Sequence, residues 1–106
     1  MSTGEVLIKD FSVGPKPSGE TLSLRDETRP EIRLELAWTF PMRFADVVVG
    51  NGEKVERERI DLADTTSFGN RAVTVRLELK GKKWLRVEAW DIAGNGAFSQ
   101  PVWIEP

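Results

Sequence analysis

From Glu31 to Phe40 the chain repeats with a period of two: Ile32, Leu34, Leu36, Trp38 and Phe40 share one parity, and Glu31, Arg33, Glu35, Ala37 and Thr39 share the other. Successive side chains of an extended backbone point to opposite faces, so this pattern specifies a strand with one buried face. Trp38 and its parity partners are therefore assigned to a core, and Trp38 is read as a packing residue, not a ligand platform.

The same period recurs further on. Val73, Val75, Leu77 and Leu79 alternate with Thr74, Arg76, Glu78 and Lys80, and between Trp84 and Trp90 the residues Leu85, Val87 and Ala89 alternate with Trp84, Arg86, Glu88 and Trp90. The turn Asp91-Ile92-Ala93-Gly94-Asn95-Gly96 leads into Ala97 to Ile104, which predicts a terminal hairpin because Gly and Asn tolerate the positive φ of a reversal. Ala45 to Val49, the Gly50-Asn51-Gly52 turn and the segment Glu53 to Leu62 predict a second hairpin, with Asn51-Gly52 as a tight turn. Lys54-Val55-Glu56-Arg57-Glu58-Arg59 is charged on both faces, as suits a sheet edge. Val6 to Phe11 and Thr21 to Leu24 supply shorter strands around the turn-rich residues 14 to 19. Only short loops such as Asp61 to Ser67 leave room for a helix.

These segments predict an all-β, immunoglobulin-like or fibronectin-III-like sandwich of two sheets and about seven strands. With 106 residues the chain has enough material for one core, so residues 1 to 106 are read as a single domain, an excised or accessory module of a larger protein. The opening Met1-Ser2-Thr3-Gly4 is compatible both with a native start and with a boundary inside a longer protein. Met1 to Asp10 lacks the basic-then-apolar order of a signal peptide, and no apolar run approaches the length of a membrane span. Without cysteine there is neither a disulfide nor a thiolate metal site, and the compartment stays open.

Lys and Arg number 15 against 17 for Asp and Glu, with the signs interspersed. No positive field exists to neutralise phosphates, which argues against nucleic acid as a partner. The chain has no His, Cys or Tyr, and so lacks the usual general bases, transition-metal ligands and two common nucleophiles. Glu31, Glu35, Glu78 and Glu88 fall on the solvent parity of regular strands instead of converging. The Asp91 to Gly96 segment looks superficially like a calcium loop, but Ala93 stands where an oxygen ligand belongs and no bidentate Glu follows. No catalytic, cofactor-binding or metal-binding residue is assigned, no cofactor is expected, and the chain is read as not being an enzyme.

Trp84, Trp90 and Trp103 are the candidate site. They stand at positions where alternation expects polar residues, so regular strands would project all three from the outer face of the terminal hairpin's sheet. That face is read as a docking surface for a neighbouring domain or protein partner, as a carbohydrate-stacking platform, or as indoles capped by nearby loops.

The run Trp84-Leu85-Arg86-Val87-Glu88-Ala89-Trp90-Asp91 through Ala97-Phe98-Ser99-Gln100-Pro101-Val102-Trp103-Ile104, with Ala45-Asp46-Val47-Val48-Val49-Gly50-Asn51-Gly52-Glu53-Lys54-Val55 upstream, resembles a β-sandwich module. That module follows the catalytic domain of carbaryl-hydrolase-like metallohydrolases in the polymerase-and-histidinol-phosphatase superfamily. The resemblance covers roughly Thr21 to Glu105. It departs at Ser99-Gln100-Pro101-Val102-Trp103, where the family often carries Thr or Ser-Asn-Pro-aliphatic-Tyr. It implies a non-catalytic, C-terminal accessory domain beside a separate His-rich, metal-binding domain, none of whose ligands lie in this chain. The final hairpin also resembles bacterial surface immunoglobulin-like repeats, which implies a carbohydrate-binding or adhesive module instead.

Overall fold

The computed structural model describes residues 5–24 and 28–105, so the Met1 to Gly4 opening lies outside it. Ten strands follow in order: β1 (Val6–Val13), β2 (Lys16–Pro17), β3 (Thr21–Ser23), β4 (Glu31–Trp38), β5 (Met42–Gly50), β6 (Val55–Asp61), β7 (Gly69–Arg76), β8 (Trp84–Asp91), β9 (Gly96–Phe98) and β10 (Val102–Glu105). No helix occurs among the described residues, and Asp61 to Ser67 forms the last residue of β6 and a turn. No helix is therefore long and apolar enough to cross a membrane.

The strands form a two-sheet β-sandwich. The smaller sheet has the order β2-β1-β4-β7; the larger runs β3-β10-β8-β5-β6, with β9 also paired to β8. The first part of the chain serves both layers, because β1 pairs antiparallel with β4 while β3, past the turn, pairs parallel with β10. β9 and β10 are one interrupted strand. Pro101 has no N–H to give the ladder, and the hydroxyl of Ser99 accepts from Val87 N at 2.9 Å where the pairing breaks.

Burial follows the alternation of β4. Ile32, Leu34, Leu36 and Trp38 are buried, against Val47, Val49, Leu85, Val87 and Ala89 of the larger sheet in one apolar cluster. Phe40 departs from the expectation and is exposed. The strand ends at Trp38, and Pro41, which constrains the residue before it and lacks a donor, turns the chain toward β5. The hairpin after β5 also differs. Gly50 pairs with Val55, so the loop contains Asn51 to Lys54. Asn51 Oδ1 closes it by accepting from Glu53 N at 2.9 Å and Lys54 N at 2.8 Å.

Trp38 lies over its cross-strand partner Gly69, and a Cβ at Gly69 would stand 2.7 Å from the indole. The ring has little freedom to move aside, since its Nε1 donates to Thr66 O at 2.6 Å. Trp38→Ala should therefore cost about 3–5 kcal/mol through the cavity it opens. Gly69→Ala should cost about 1–3 kcal/mol through overpacking alone. Denaturant titration checks both; a loss below about 1 kcal/mol in Trp38→Ala would mean the indole contributes little to the core.

Candidate functional site

Cross-strand register places the outer face of the larger sheet in rows. Asp61, Phe44, Trp90 and Gly96 make one row; Arg59, Asp46, Glu88 and Phe98 the next; Arg57, Val48 and Arg86 the third. Val55, Gly50, Trp84, Trp103 and Thr21 make the fourth. Charge therefore occupies the middle of the face, and aromatic residues its two ends.

The middle is a closed ionic layer. Asp46 and Glu88 sit directly opposite each other on β5 and β8, a like-charge contact that would repel if left unbridged. Arg57 Nη1 donates to both carboxylates, reaching Asp46 at 3.2 Å. Arg59 grips Asp46 with two bonds of 2.9 and 3.1 Å, and Arg86 donates to Glu88 at 2.9 Å. Asp46 has no accessible surface, and Glu88 is nearly buried although it lies on the outward parity. The solvent position expected for Glu88 is thus corrected: it faces outward but is sealed under arginines. The guanidinium of Arg59 lies 3.7 Å from the Phe44 ring centre, a cation–π contact that ties the ionic layer to its aromatic border.

Burial opposes the charge on each carboxylate, but it is outweighed. Hydrogen bonds and attraction from Arg59 and Arg57 hold Asp46 below its ordinary 3.8, and Arg86 and Arg57 hold Glu88 below its ordinary 4.5.

The three candidate indoles do not form one cluster. Trp84 and Trp103 are direct cross-strand partners, whereas Trp90 lies at the opposite end of β8, about 20 Å along the strand at 3.3 Å per residue. Trp84 rests on Gly50 and Trp90 on Gly96, where a Cβ would approach the rings to 2.4 and 2.6 Å, and both indoles are half-buried. Trp90 also meets Phe98 edge-on, with ring centres 5.4 Å apart. Trp103 stands apart at 49% exposure. Sequence parity gave the face of each indole; it could not show that glycines on neighbouring strands receive two of them. Nor did it single out Asp46, whose one signal was an acid among the apolar residues of a central strand.

The Asp91 turn is structural. Its carboxylate accepts from Ala93 N, Asn95 N and Asn95 Nδ2 at 2.8–2.9 Å, which occupies the oxygens a cation would need. Among the described residues no group of three or more His, Cys, Asp or Glu is placed to hold a metal ion. A cleft of about 330 Å³ beside Phe44, lined in part by Arg43, Arg59, Asp61 and Ile92, places one carboxylate among arginines. It contains no pair of groups arranged as acid and base. No family model, curated protein or solved structure matches this chain.

Two measurements follow from this geometry. The carboxyl pKa values are lowered on folding, so these groups contribute stability that is present above their unfolded values and lost as pH falls through the folded ones. The denaturation midpoint should be flat from neutral pH to about 5 and decline below about 4. Asp46→Asn should cost about 1–3 kcal/mol near neutrality and make the acid decline shallower; an unchanged acid limb would remove Asp46 from the account. In single Trp→Phe variants, acrylamide should quench Trp103 most and Trp38 least, with Trp84 and Trp90 between them. Equal quenching of all four would contradict the Trp–Gly packing.

Proposed function

We propose that this chain is a non-catalytic accessory domain of immunoglobulin-like or fibronectin-III-like kind, docking through the Trp103 end of its larger sheet against a neighbouring domain. Two features of the topology support the fold assignment: the opening segment is split between the sheets, and β6 pairs with β5 instead of joining β7. One observation carries the docking reading: on a face whose middle is closed by ion pairs, the Trp103 indole stays half in water between its cross-strand neighbours Trp84 and Thr21. Leaving that area wet forgoes burial energy that a neighbour would recover.

The resemblance of residues 21 to 105 to the module behind carbaryl-hydrolase-like domains suggests that the neighbour is a metal-dependent hydrolase. The absence of His, Cys and Tyr is consistent with the metal chemistry residing there. Asp46 and Glu88 are already committed to arginines and carry no role in that reading beyond holding the sheet face.

The test compares the isolated chain with the protein encoded by its complete reading frame. That frame should also encode a His-rich metal-binding domain, and acrylamide access to Trp103 should fall sharply in the intact protein. Equal access in both forms would reject docking through this end. If added oligosaccharides shield Trp103 in the isolated chain and the intact protein does not, the carbohydrate-binding or adhesive reading replaces this one.

A further inference from the structure

The sandwich protects its free edges unequally. β2 has two residues, and β3 and β9 three each, too short to template another strand. Beyond β2, the edge of β1 carries Lys9 and Asp10 and a register shift between Ile8 and Asp10. Charges and irregular pairing both discourage strand addition there. Two long edges remain, β6 on the larger sheet and β7 on the smaller.

Symmetry separates these two. When identical strands pair antiparallel about a two-fold axis perpendicular to the sheet, opposite residues must share a face, so the residue on the axis meets its own copy. At the centre of β6 that residue is Glu56, Arg57, Glu58 or Arg59, and each choice sets like charge against like. At the centre of β7 it is Ala72 or Val73, both neutral.

β7 is also regular. It pairs with β4 through eight consecutive partners from Gly69 to Arg76 with no register shift. Among the described residues, the backbone from Asn70 to Val75 makes no hydrogen bond outside the strand pairs. Its core-side residues Val73 and Val75, with Leu77 just beyond, are only half-buried, and Phe68 before its first residue is 82% exposed.

We propose that β7 is a self-association edge that accepts β7 of a second copy of this chain, antiparallel, about a two-fold axis through Val73. In that register Val73 meets Val73, Ala72 meets Thr74, Arg71 meets Val75 and Asn70 meets Arg76, with no like-charge pair. Gly69 falls opposite Leu77 of the second copy. The two smaller sheets become one continuous sheet, while the self-repelling β6 edges keep the larger sheets from zipping together. This edge belongs to the other sheet from Trp84 and Trp103, so the proposal goes beyond the docking reading and is tested independently of it.

Sedimentation equilibrium of the whole chain, from micromolar to millimolar concentration, reads the association directly. The wild type should show a concentration-dependent dimer. Ala72→Lys with Thr74→Lys sets lysine against lysine across the axis and should restore the monomer. Ala72→Glu with Thr74→Lys creates two opposite-charge pairs in this register alone, and should tighten the dissociation constant roughly three- to tenfold. Both positions are exposed, so circular dichroism should show an unchanged fold. A wild type that stays monomeric at millimolar concentration overturns the proposal, as does a dimer that survives the double-lysine variant. So does a Glu/Lys variant that associates no more tightly. A dimer abolished by Trp103→Ser but retained by the double-lysine variant assigns self-association to the outer face and overturns it as well.

Discussion

Asp46 and Glu88 face each other across the two central strands of the larger sheet, and the bonds Arg57 makes to both are the condition on which that face depends. Two adjacent carboxylates would otherwise push β5 and β8 apart at their middle. Bridged by Arg57 and flanked by Arg59 and Arg86, they become a polar layer with no unsatisfied buried side-chain atom among the described residues. The guanidiniums of Arg57 and Arg59 reach from β6 across strands that the backbone ladder already joins, while Arg86 binds Glu88 within β8, so the ionic layer reinforces the register set by the core beneath it. It also commits both carboxylates to arginine partners.

The aromatic ends are organised by a different device. Trp38 lies over Gly69, Trp84 over Gly50 and Trp90 over Gly96, each glycine being the indole's direct cross-strand partner. Glycine weakens a strand because it has no side chain to pack, and a large flat ring across the ladder fills the space it leaves. The glycines and tryptophans thus belong together, although Trp38 lies 31 residues from Gly69 and Trp84 lies 34 from Gly50. Trp103 has Trp84 opposite it and no such glycine, and it is the indole that remains half in water. Its exposure follows from the absence of a cross-strand seat, which is why the candidate docking face narrows to this end.

The edges complete this division of labour. β6 alternates acid and base so that its two faces carry opposite signs, which spends little stability and discourages pairing with its own kind. β7 has no such pattern at its centre. A sandwich that seals one sheet face with ions, leaves one indole wet and protects one long edge but not the other presents two chemically different surfaces.

Alternation determined β4, β8 and the core side of β7, whose bounds shift to Gly69–Arg76 from the expected Val73 to Lys80, because side-chain direction in an extended chain is a local property with a period of two. The buried set of β4 and the edge position of β6 were legible for that reason, and the missing His, Cys and Tyr were legible as composition. Register was not. Which glycine receives which indole and which arginine bridges Asp46 to Glu88 depend on partners 6 to 34 residues away in sequence. Only the tertiary structure decided those contacts, since strand pairing is set by the joint fit of two layers and not by any one segment.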